Sequence, residues 1–197
     1  MENLNNIENP LAVSGNTAAD GLPWYAIRLF GNSQMKADDY FKDKGMETFI
    51  PMSYRDYEDE NGKRRRKLRP VVSNLIFVKK TVSTKKMAEV MMQSVLKMSV
   101  LTKSRENREY YEIPSKQMFE FQVMCNPEIE MRKYLSSEEA KLKAGTPVLV
   151  THGPLKGLSG RLVRASHKYY LLKEVPGLGV MLKVSRWCCQ PILNEKN

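Results

Sequence analysis

The sequence predicts two folded units in series, an α+β unit built on an antiparallel sheet with helices and, after it, a small all-β barrel. Three observations carry this. Strand-like and helix-like periodicities alternate from Pro23 to about residue 124; the segment 125–144 is charged and weakly periodic; after Gly145 the apolar runs are short, β-like and bounded by Gly, Pro or polar residues.

The run WYAIRLF after Pro23 is a first strand, ended by Gly31 and Asn32. Asn32 or Ser33 then offers an N-cap, Ala37, Tyr40 and Phe41 fall at helical spacing, and Gly45 supplies the stop, which predicts a first helix. METFIP reads as a second strand closed by Pro51. The polar arms around Asn61 and Gly62 predict a hairpin, because an Asn-Gly pair accepts the left-handed torsions of a tight turn. NLIFVKK is the most apolar strand of this half. STKKMAEVMMQSVLKM places Met87, Val90, Met91, Ser94 and Val95 on one stripe, which predicts a second helix packed on the sheet. SVLT and EYYEIP are short strands, and SKQMFEFQVM is a third helix starting at Ser115.

This unit is expected over 22–124, after a disordered leader over 1–21. CNPEIEMRKYLSSEEAKLKA, residues 125–144, shows no β signal and reads as a linker, in part helical. The barrel is expected over 145–193, from TPVLVT, LSGRLVRA, YYLLKEV, GVMLKV and WCCQPIL.

Composition narrows the function. The formal net charge is +10, which favours phosphate backbones or an acidic protein as partner. No apolar run approaches the roughly 20 residues of a spanning helix, and the N-terminus lacks a secretory pattern, so a cytoplasmic protein without a membrane partner is expected. Cys125, Cys188 and Cys189 make neither a disulfide framework nor a metal-ligand pattern, and a reducing compartment suits them. His152 and His167 have no spaced Ser, Cys or carboxylate partner, and neither phosphate-binding glycine fingerprint occurs; neither catalytic residues nor a cofactor are expected.

The segment GTPVLVTHGPLKGLSGRLV resembles the KOW motif, with Gly153, Pro154, Gly157 and Gly160 in the motif's places. Upstream, Trp24 and Tyr25 on the first strand, Phe49, Ile50 and Pro51 at the second, the polar hairpin and the strand Ser73, Asn74, Leu75, Ile76, Phe77 and Val78 resemble, in order, the NusG family's N-terminal domain. The resemblance runs from about Trp24 to Pro191 and implies a ferredoxin-like N-terminal domain followed by an SH3-like KOW barrel. Ser73 to Leu75 replace the Pro-Gly-Tyr usual in housekeeping members. With the long leader and basic hairpin, this resembles the UpxY group of antiterminators for capsular polysaccharide operons and, more distantly, RfaH.

The resemblance implies a monomeric factor that bridges the large subunits of RNA polymerase and promotes processive transcription. Leu75 and Phe77 match an apolar pocket for the clamp helices, and strand alternation puts them on one face; ordinary core packing is the equal alternative. Arg28 falls at a further pocket position. Ser83, Thr84 and Lys85 match a contact to the gate loop, while Ser83 or Thr84 also suits a helix N-cap. Lys63, Arg64, Arg65, Arg66, Lys67 and Arg69 on the hairpin, with Lys36 on the first helix, are candidates for upstream or non-template DNA; cross-strand pairs with Asp56, Glu58, Asp59 and Glu60 would neutralise part of the run. The KOW barrel would recruit a small-subunit ribosomal protein or a termination factor. Competing readings are an enzyme, a ribosome-associated RNA-binding KOW protein and a housekeeping NusG.

Overall fold

The computed structural model describes residues 20–104, 106 and 108–192. The leader lies outside them except for its last two residues. The first unit is an antiparallel sheet, β2(Thr48–Phe49)-β5(Leu75–Lys79)-β1(Trp24–Leu29)-β6(Met98–Val100), with β7(Glu112–Ile113) also pairing β1. Alternation along β1 and β5 sorts their side chains. Tyr25, Ile27, Leu29, Ile76 and Val78 pack under α1(Gln34–Asp43) and α2(Thr84–Met92), whereas Trp24, Ala26, Leu75 and Phe77 face α3(Ser115–Met124) and the second unit.

Local chemistry explains the element ends. Gly45 stops α1 with φ +73°, its N–H donating to Lys42 O. α2 ends at Met92, short of the expected stripe: Val95 is 97% exposed, and Ser94 Oγ accepts from the Leu96 N–H. A serine turn competes there with a further helical turn. Only Met87, Val90 and Met91 of that stripe pack inward.

The hairpin strands β3(Met52–Glu58) and β4(Arg64–Pro70) form a separate two-stranded sheet. Its loop is wider than a two-residue Asn-Gly turn. Asp59 Oδ1 accepts from the N–H groups of Asn61 and Lys63, and Gly62 alone takes the left-handed torsion.

The second unit is β-rich and SH3-like, a six-stranded sheet ordered β13(Cys189–Pro191)-β9(Thr146–Val150)-β10(Ser159–Ala165)-β11(Lys168–Val175)-β12(Leu178–Val184)-β8(Arg132–Ser136). β8 and α4(Ser137–Leu142) lie in the segment read as a linker without β signal. Five residues of β8 pair with β12, and α4 begins with a capping box in which Ser136 Oγ and Glu139 exchange bonds with each other's backbone N–H. The strand is invisible in sequence because three of its five residues are polar and its partner lies far along the chain.

Gly160 shows why a glycine is needed at its position. A Cβ there would sit 2.6 Å from Leu172 O on the paired strand β11. Gly153 and Gly157 take positive φ in the loop between β9 and β10. The fold is α+β in its first half and all-β in the C-terminal sheet, as the sequence predicts.

Candidate nucleic-acid interface

Leu75 and Phe77 share a face of β5, and both are buried. Their covers differ. Phe77 packs against Phe49 and Phe121, ring centroids 6.3 and 5.6 Å away, inside the first unit. Leu75 sits at the boundary between units, beneath the β11–β12 turn, where a Cβ added to Gly177 would meet Leu75 Cδ2 at 2.9 Å. Arg28 pairs with Leu75 across β1 and β5 and is exposed in the groove beside that turn. Ser83, Thr84 and Lys85 are exposed at the start of α2, on the element that covers the other face of the sheet. Ser83 Oγ caps the Lys86 N–H, and the Thr84 hydroxyl bonds the Tyr25 hydroxyl at 3.1 Å. The six residues proposed for polymerase contact thus form two groups, not one patch.

The β3–β4 register separates the hairpin's charges. Asp56 lies opposite Arg66, Glu58 opposite Arg64 and Tyr54 opposite Leu68, so that face is mixed. Arg66 stacks on the Tyr54 ring at 4.9 Å and reaches Asp56 at 3.6 Å. Tyr54 donates its hydroxyl to Glu128 at 2.9 Å, which raises the phenol's pKa and turns the mixed face toward the body. The opposite face pairs Ser53 with Arg69, Arg55 with Lys67 and Tyr57 with Arg65. It carries four cations and the half-exposed Tyr57. Among the described residues, its one cation bound to a carboxylate is Arg65, 2.9 Å from Asp59 of the loop. Arg55 and Lys67 oppose each other directly, a destabilising arrangement that a bound polyanion would relieve. Lys36 lines the hollow between α1 and the hairpin base together with Arg55 and Arg69, joining this surface.

The family model described as Transcription termination factor nusG matches residues 22–122, just over half of the chain, covering the first unit into α3. The chain belongs to the NusG family. NusG proteins are non-enzymatic transcription factors that interact with RNA polymerase in elongation, termination or antitermination. Comparison with the curated proteins gave no match. No helix among the described residues is long and apolar enough to cross a membrane.

Two features of this NusG protein escape sequence reasoning. Arg55 completes the cationic face but stands on the arm that reads as acidic. Glu120, between Phe119 and Phe121 of α3, is buried and bonds Ser159 and Lys173 of the second unit. A carboxylate set between two phenylalanines is the signal that could have found it. Gln117 Nε2 adds a 2.7 Å bond to Glu174 O across the same boundary.

Proposed function

We propose that the protein is a specialised elongation factor of the antiterminating kind, holding polymerase in a processive state on long operons, capsular polysaccharide operons in particular. Its hairpin lies along upstream or non-template DNA. The observation that carries this reading is the one-sided hairpin: four cations and a tyrosine on one face, with the acidic side chains of β3 on the other. Such a face supplies sequence-independent, salt-dependent affinity for a phosphate backbone beside the enzyme.

Polymerase contact is assigned to Leu75 and Arg28 for the clamp helices, with Phe77 as support beneath, and to Ser83, Thr84 and Lys85 for the gate loop. Leu75 is covered by the Gly177 turn. Clamp docking through it therefore requires the KOW domain to move away. The KOW domain, freed, would recruit a ribosomal protein or a termination factor.

The test is transcription by purified polymerase on a long template with defined pause sites. Wild-type protein is expected to shorten pauses and raise full-length product. A variant with Arg55, Lys67 and Arg69 changed to Ala should still bind polymerase but lose much of the effect. Longer pauses with wild type, or a variant indistinguishable from it, would overturn the reading.

A further inference from the structure

The KOW domain has an unusual charge balance. Between Gly145 and Ile192 the sequence holds seven Lys or Arg side chains and one carboxylate, Glu174. Arg161 pairs with that carboxylate at 3.1 Å, and Lys173 is taken by Glu120. Arg164, Lys168, Lys183 and Arg186 are exposed, and none of them makes an ion pair with a described carboxylate.

Two of these cations lie against one aromatic ring, and the other two line the hollow beside it. Tyr169 has the Arg164 guanidinium 5.8 Å and the Arg186 guanidinium 6.0 Å from its ring centroid. Lys168, Lys183 and Ser185 line one hollow with Tyr169, Arg186 and Trp187. Trp187 is 77% exposed. An indole left in water forfeits much of the burial that normally stabilises it. The backbone next to it is nevertheless held: Cys188 O accepts both the Thr151 N–H at 2.8 Å and the Thr151 hydroxyl at 3.1 Å. The ring is thus presented on a fixed turn, beside His152 at 6.0 Å between centroids.

We propose that this surface is a second nucleic-acid site, specific for single strands, in which an unpaired base stacks on Trp187 and the flanking phosphates meet Arg164, Lys168, Lys183 and Arg186. It shares no residue with the hairpin and does not depend on the polymerase reading. Cations interleaved with an exposed aromatic platform match single-stranded nucleic acid, because a duplex hides the base faces that an indole can cover. A nascent transcript and a displaced DNA strand both offer this chemistry.

The protein holds its own probe. It has two tryptophans, and Trp24 is 3% exposed. Full-length protein with Arg55, Lys67 and Arg69 changed to Ala, which removes the hairpin site, is titrated with oligonucleotides of about 12 residues, within the usual span of such sites. RNA, single-stranded DNA, duplex DNA and a polyglutamate peptide are compared. Single strands are expected to quench the exposed indole. Trp187→Ala should weaken binding of a labelled oligonucleotide about tenfold, the worth of one stacked base, whereas Trp187→Phe should retain most of it. Changing Arg164 and Arg186 to Ala should lower the salt slope by about 1.4, at roughly 0.7 per phosphate contact on a single strand. Tighter binding of RNA identifies a transcript as ligand; equal or tighter binding of DNA identifies a displaced strand; both uphold the site. Affinity indifferent to Trp187→Ala, complete loss of binding in the hairpin-neutralised background, or equal quenching by polyglutamate would overturn it. None of those outcomes touches the hairpin's role on duplex DNA.

Discussion

Glu120 on α3 and Lys173 on β11 form an ion pair across the domain boundary, their side chains 3% and 12% exposed. Ser159 closes the group by donating its hydroxyl and its backbone N–H to the same carboxylate. Removing one partner strands a buried charge, so Lys173→Met is expected to destabilise the folded pair of domains by about 3 kcal/mol or more. Changing both residues to Met should cost much less. Urea unfolding of the two single variants and the double variant measures the difference.

The same substitution should uncover Leu75. If the KOW domain is released, backbone amides of β5 near Leu75 will exchange faster in Lys173→Met, while those of β5 at Val78, under α2, remain protected. Hydrogen exchange read by mass spectrometry separates release from global unfolding, in which both ends of β5 would exchange together.

Cys125 gives the protein an alkaline weakness. Burial pushes its thiol up to about 12 from an ordinary value of 9.0. The folded state disfavours the thiolate, so the stability is complete below pH 9 and falls as pH rises from about 9 toward 12, at about 1.4 kcal/mol per unit. Cys125→Ala should flatten that decline in melts taken between neutral and alkaline pH. At neutral pH the native protein should be alkylated at Cys188 and Cys189 before Cys125, which is buried.

Lys67→Glu should move stability and binding in opposite directions. Opposite Arg55 it replaces a like-charge pair with an attractive one, which strengthens the hairpin. On the cationic face it removes a phosphate contact, lowering the slope of log affinity against log salt by about 1 for duplex DNA. Thermal melts and DNA titrations at several salt concentrations give both signs.

The β10–β11 turn stores strain at Ser166 and His167, with φ of 50° and 60°. Both torsions lie where asparagine and glycine are favoured in a tight hairpin. Changing the pair to Asn-Gly is expected to stabilise the KOW domain by about 1 kcal/mol, read as a higher melting temperature.

What could be read from the sequence depended on how local each signal was. β1, β5, the hairpin and the KOW strands are apolar or alternating runs bounded by turn residues, so they stand out. β8 does not, since Tyr134 and Leu135 sit among Arg132, Lys133 and Ser136 and gain their pairing only from β12. The cationic face required the register: the basic run alone distributes its charges to both sides, and Arg55 joins it from the opposite arm. Lys173 lies 53 residues from Glu120, and the Trp187 surface draws on β10, β11, β12 and the turn after it. Neither group is contiguous in sequence.

The incorporation of β8 into the KOW sheet makes the tether between the domains short. Between the end of α3 at Met124 and the start of β8 at Arg132 the chain has only Cys125 to Met131, and Cys125 is itself buried. Fully stretched, such a segment reaches about 25 Å. A KOW domain that lets go of Leu75 would therefore remain at high local concentration above the face it left and close again readily. Peeling β8 and α4 away from β12 would lengthen the leash to about 70 Å, so the pairing of β8 sets how far the second domain can travel.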